Sequence, residues 1–156
     1  MDHLIFLRRA IELSSNGAIT GQNGPFGCVI VKNGVIVGEG QNQVATTNDP
    51  TAHAEVVAIR NACTRLGTFQ LTGCIIYCSC EPCPMCLGAI YWSRPDQVYF
   101  ASTKVDAANA GFDDEFIYQE LELPSEERKI PMNYIPVPEA LTMFESWKSN
   151  PDKRVY

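Results

Sequence analysis

Residues 74–93 read CIIYCSCEPCPMCLGAIYWS. The opening run, Cys74 to Cys78, is almost wholly apolar and suits a short strand buried on both faces. Glu81-Pro82 breaks the strand pattern and opens a helix over about Cys83–Ser93, because proline is tolerated where a helix begins but not in a sheet ladder. A buried strand running straight into a helix is the repeating unit of a layered α/β protein.

The flanking sequence agrees. Leu4, Leu7 and Ile11 recur at helical spacing, so residues 2–18 read as an amphipathic helix stopped near Ser14-Ser15-Asn16-Gly17. Phe26–Val31 and Val35–Gly38 read as strands, and Asn33-Gly34 between them suits the positive backbone angles of a tight hairpin. Residues 41–51 read as a polar loop, with Asp49 or Thr51 capping a helix that runs to about Leu66. Gln97–Ala101 reads as another buried strand. The order from residue 26 onward is strand, strand, helix, strand, helix, strand. This predicts a single α/β domain over 1–156, a three-layer α/β/α sandwich with a mixed central sheet. Beyond residue 102, Ala107–Tyr118 reads as one or two short helices broken at Gly111, and Glu139–Lys148 as a helix. Between them, Leu123 to Pro138 holds four prolines and reads as a connection with room for one strand.

Composition bounds the function. The chain has 156 residues, 46% hydrophobic and 19% charged, which suits one globular core. No apolar stretch is long enough to span a bilayer, and charge enters too early at the N-terminus for a signal peptide, so a cytoplasmic protein without membrane contact is expected. Four of the seven cysteines fall between Cys78 and Cys86, a crowding that favours metal binding over a disulfide framework. The net charge is −6 and the basic residues are scattered, so no phosphate-binding face is evident. A small neutral substrate, with no nucleic-acid partner, fits this balance.

The candidate chemistry sits at two helix starts. Cys83 and Cys86 lie three apart, share a helix face and can grip one ion. His53 adds a nitrogen, and one nitrogen with two sulfurs leaves a tetrahedral zinc an open position, the mark of a catalytic site. Partial positive charge at a helix N-terminus favours the thiolates. Two thiolates also weaken the pull of zinc on its water, which makes a nearby base useful; Glu55 is the candidate. On a regular helix His53 and Glu55 would point roughly 200° apart, so both reach one site only if the helix end faces it. Singly, these residues read as a capping histidine, a solvated glutamate and two core cysteines. Together they form the His-x-Glu and Pro-Cys-x-x-Cys pattern of zinc deaminases. Cys80 extends the spacing toward a ferredoxin run, but Ile90 and Tyr91 stand where that run wants Cys-Pro. Cys74, Cys78 and Cys80 are instead expected in the core.

These motifs, with Gly24-Pro25-Phe26-Gly27, Gly40-Gln41-Asn42-Gln43, the run Asp49–Glu55, the run Ser79–Trp92, Ala110-Gly111-Phe112-Asp113-Asp114 and the terminal Tyr156, resemble the cytidine deaminase-like superfamily. Within it the chain looks most like the bacterial guanine deaminases. The resemblance implies one Zn2+ per subunit with a bound water or hydroxide, Glu55 as proton shuttle, and a purine base as substrate, guanine becoming xanthine and ammonia. It also implies that Asn42 hydrogen-bonds the base, that Phe26 lines or stacks on it, and that Ala54 contributes to its binding. Asp114 would read the purine edge and serve as a second proton shuttle. Finally, it implies a homodimer whose C-terminal arm, about residues 123–156, swaps so that Tyr156 closes the partner's pocket. The zinc motifs alone leave guanosine, cytosine or a tRNA adenosine open as substrates, and a zinc-binding domain without catalysis as well.

Overall fold

The structure is a computed structural model that describes residues 2–156. It divides into two compact units, one ending at Asp114 and one spanning Glu115–Tyr156. The division falls upstream of Leu123, where an arm was expected.

The first unit begins with α1 (His3–Thr20), capped by the Asp2 carboxylate and ended by Gly21 in the left-handed region. Then come β1 (Gly27–Lys32), β2 (Val35–Gln41), α2 (Val44–Thr47), α3 (Ala54–Leu66), β3 (Cys74–Cys80), α4 (Pro84–Ser93), β4 (Gln97–Ser102) and α5 (Lys104–Asn109). The sheet order is β2-β1-β3-β4. β1 is antiparallel to β2 and β3, whereas β3 and β4 are parallel, so the sheet is mixed as expected. The hairpin turns on Asn33 and Gly34, both at positive φ (51° and 79°), the conformation that dipeptide favours.

Alternation along the strands sorts the core into two layers. Cys28, Ile30, Ile76 and Cys78 face one way, against Ala54, Ala58 and Ala62 of α3 and Ile90 of α4. Val29, Val31 and Tyr77 face the other way, against Ala10, Phe6 and Leu7 of α1. Small residues let α3 lie close on β2. A Cβ at Gly38 would fall 2.6 Å from the Ala58 carbonyl oxygen, and one at Gly40 would overlap the Ala54 carbonyl. This contact fixes where α3 starts.

Several expectations are corrected. β1 begins at Gly27, after Phe26. The supposed loop 41–51 contains the short α2. The N-cap of α3 is His53, not Asp49 or Thr51. The Asp49 carboxylate instead accepts from the Thr51 N–H and hydroxyl, at 2.8 and 2.7 Å, closing a local turn ahead of the helix. β4 is not a buried strand: it lies at the sheet edge, and its Phe100 is 46% exposed.

The second unit holds α6 (Glu115–Glu122), a single 3-10 turn at Ser125–Glu127 and α7 (Pro138–Ser149). Pro138 opens α7, where its missing N–H costs nothing. Among the described residues, 123–137 carry no strand. That stretch is folded on itself by Arg128, which donates to the Leu123 carbonyl, and tied back to α6 by the Lys129 N–H, which donates to the Glu120 carboxylate. No residue of α6 or α7 is buried.

Candidate active site

His53 and Cys83 are both helix N-caps with extended backbone (ψ 155° and 169°), and neither side chain caps its own helix. Each side chain is therefore free of the helical projection and can turn in front of the helix end. This resolves the angular difficulty: His53 stands before α3, while Glu55 lies in its first turn. Cys86 follows one turn into α4, and Pro84 at the helix start holds the two cysteines in register.

His53 Nδ1 lies 3.5 Å from Cys83 Sγ and 3.5 Å from Cys86 Sγ. Zinc–sulfur bonds of about 2.3 Å and a zinc–nitrogen bond of about 2.1 Å at tetrahedral angles would separate such donors by about 3.6 Å. The three ligand atoms thus fit one tetrahedral ion and are positioned to bind it. The charge chemistry agrees. Cys83 is pulled down to about 4 by hydrogen bonding with Cys86 and with His53. Cys86 is held far above the ordinary thiol range by the neighbouring Cys83 and by burial. Without a cation the pair accommodates one negative charge; a dication is what lets both thiols ionise.

Glu55 is 8% exposed, and the Cys86 thiol donates to its Oε2 at 3.3 Å. Burial pushes its pKa up, which suits a carboxylate that takes up and returns a proton. His53, Glu55 and Cys83 open into a cavity of about 590 Å³ lined wholly by residues between Gly21 and Asp114. Asn42 and Asp114 line it, and Phe26 meets Phe112 edge-to-face at 4.9 Å beside them. Burial, followed more weakly by the Cys83 charge, raises the pKa of Asp114.

The structure thus gathers Phe26, Asn42, His53, Glu55, Cys83, Cys86 and Asp114 within one unit. The Ala54 side chain is fully buried in the core, so only its main chain is left to meet a ligand. Tyr156 lies in the second unit, after α7, and is 66% exposed. Cys74 and Cys78 are core residues as expected, but Cys80, although buried, also lines the cavity. Sequence reading missed Asn23, Glu81 and Lys104 in the lining. Phe112, within the Gly111–Asp114 motif, also lines the cavity, and its place against Phe26 carries no local signal. Glu81 accepts from the Lys104 N–H at 2.9 Å, a contact between the loop after β3 and the first residue of α5 that no local pattern signals.

A model of the cytidine and deoxycytidylate deaminase zinc-binding region matches residues 1–102. The chain belongs to the cytidine and deoxycytidylate deaminase family. Within this deaminase family it is 56% identical to a guanine deaminase of Bacillus subtilis (strain 168), over 100% of both chains. The X-ray structure of guanine deaminase from Bacillus subtilis superposes with a TM-score of 0.96, at 56% identity, covering 100% of this chain and 99% of that one. A tRNA-specific adenosine deaminase of Aquifex aeolicus is 39% identical over 92% of this chain and 89% of its own. The deaminase family's zinc-binding region contains His53, Cys83 and Cys86, so the expected zinc cofactor has its ligands in place. No helix among the described residues is long and apolar enough to cross a membrane.

Proposed function

We propose that the protein hydrolyses guanine to xanthine and ammonia. The observation that carries this reading is the joining of a His53–Cys83–Cys86 donor set to a buried Glu55 in one cavity, in a chain similar from end to end to a guanine deaminase. Zinc, when bound, supplies Lewis acidity that makes water a usable nucleophile near neutral pH.

The chain's residues supply the rest. The Glu55 carboxylate takes the proton of the attacking water and passes it to N3, the unprotonated ring nitrogen beside the amino-bearing carbon. Asp114 serves as the second proton shuttle: it takes the proton of the hydroxyl now on the ring carbon and gives it to the amino group, so that the C–N bond breaks, the carbonyl forms and ammonia leaves. It also reads the purine edge. Phe26 gives the flat base an apolar wall, with Phe112 set edge-on against it. Asn42 donates to an acceptor of the base, and Ala54 offers main chain at the start of α3.

The reading extends to a cytoplasmic homodimer in which the arm of one subunit brings Tyr156 to the other's cavity. Support comes from apolar surface that asks for a partner. In α7, Leu141, Met143, Phe144 and Trp147 are exposed, and Tyr91 of α4 is exposed as well.

The deciding experiment is ammonia release from guanine, guanosine, cytosine, cytidine and adenine by purified protein. Guanine is expected to be turned over most efficiently. Release from cytosine but not from guanine would sink the proposal.

A further inference from the structure

One rim of the cavity is built by a residue that the chemistry above does not use. α2 is four residues long, and Gln43 at its N-cap position makes no side-chain capping bond. The first-turn N–H groups of such a helix must find acceptors elsewhere. The Val44 N–H donates to Asn42 Oδ1 at 3.2 Å. The Ala45 and Thr46 N–H groups both donate to Asn23 Oδ1, at 3.0 and 3.3 Å, from a loop 22 and 23 residues upstream. Asn23 Nδ2 in turn donates to Thr46 Oγ1 at 3.1 Å. The Thr47 N–H is the first to find an acceptor within the segment, the Gln43 carbonyl at 3.0 Å. Two backbone donors demand an oxygen, so the orientation of the Asn23 amide is set by chemistry. Its loop is pinned as well: a Cβ at Gly17 of α1 would fall 2.5 Å from the Gly24 carbonyl oxygen and 2.8 Å from that of Asn23. Asn23, Asn42, Val44 and Ala45 all line the cavity.

We propose that Asn23 is a positioning residue for the base: by capping α2 from a distant loop, it holds Asn42 with its oxygen on the Val44 N–H and its Nδ2 donors turned to the substrate. The inference rests on the guanine reading, in which Asn42 donates to the base. Without Asn23, the Ala45 and Thr46 N–H groups lose their acceptor. The bonds that remain, the Thr47 N–H and hydroxyl on the Gln43 carbonyl at 3.0 and 2.7 Å and the Asp49 N–H on the Val44 carbonyl at 3.2 Å, hold the far side of the turn and not its first N–H groups. The Val44 N–H and the Asn42 oxygen then lose their register, and the donors are no longer aimed. Glu55 and the zinc ligands stand on α3 and at the start of α4, so proton transfer and metal binding are spared.

The test compares Asn23→Ala with Asn23→Asp, which keeps an acceptor oxygen, by guanine kinetics, zinc content and amide hydrogen exchange. Wild-type turnover of guanine checks the underlying reading separately. Asn23→Ala is expected to raise KM about tenfold with kcat within about threefold, as loss of ground-state binding does, while Asn23→Asp stays near wild type. Zinc per chain is unchanged in both. The Ala45 and Thr46 amides exchange slowly in the wild type and fast in Asn23→Ala. A wild-type KM in Asn23→Ala, an equal loss in Asn23→Asp, or a fall in zinc content matching the fall in activity would overturn the proposal. If Asn23→Ala does not fold, unprotected Ala45 and Thr46 amides in the wild type, or an impaired Asn23→Asp, overturn it instead.

Discussion

In the proposed reaction, Glu55 and its neighbours divide the labour of the site between charge and proton transfer. Glu55 is buried beside Cys86 yet is no ligand in the three-donor set. Glu55→Gln preserves the shape of the side chain and removes the base. Turnover is expected to fall by about 10²–10⁴-fold, the range for a lost general base, with zinc content unchanged; steady-state kinetics and metal analysis check both. Cys86→Ser acts in the opposite order. It removes a thiolate donor, so zinc is expected to fall from about one per chain toward none, and activity with it. Chelation of the wild type should match that loss, and added zinc should reverse it in the wild type but not in the variant. The ligand set was legible because the Cys-x-x-Cys spacing puts two sulfurs on one helix face whatever surrounds them. Asn23 was not legible, since its role depends on a helix turn more than twenty residues downstream.

At the scale of elements, the site is set by how two helix ends meet. α3 can start where it does because β2 offers glycines beneath it. A methyl group at Gly40 would overlap the Ala54 carbonyl, next to His53 and Glu55. Gly40→Ala is therefore expected to cost about 1–3 kcal/mol, the usual penalty of overpacking. Calorimetry should show a lower Tm, and the zinc titration a weaker midpoint, because the helix carrying one ligand is displaced. The strands, the hairpin turn and the main helices followed from periodicity and turn chemistry. The N-cap of α3 did not: Asp49 and Thr51 are both good capping residues, and the choice of His53 depends on the Asp49 carboxylate being taken up by Thr51. β4 read as buried because its residues are apolar, whereas its edge position leaves Phe100 exposed.

At the scale of the whole molecule, the dimer reading makes a prediction that a folded-back arm does not share. A Glu55→Gln chain has a dead site and an intact tail. A chain lacking residues 150–156 has an intact site and no tail. Each alone is expected to be nearly inactive on guanine. Unfolded together and refolded as mixed dimers, they should regain activity, because the tail of the first completes the site of the second. No recovery in a preparation shown to contain mixed dimers would remove Tyr156 from the partner's site. Unchanged turnover after the tail deletion alone would do the same.

The sequence by itself determined the α/β/α class, the mixed sheet and the three donors positioned to bind zinc, and it singled out Glu55, which lies buried beside them. Each of these depends on periods and spacings that are local along the chain. Only the tertiary structure decided that His53 and Cys83 stand as helix N-caps with their side chains turned off the helix. It alone placed Phe112 edge-on to Phe26 and gave Asn23 the N–H groups of α2. Those facts depend on which distant segments lie together, and close packing of the sheet against its helices sets that, not any pattern within a single segment.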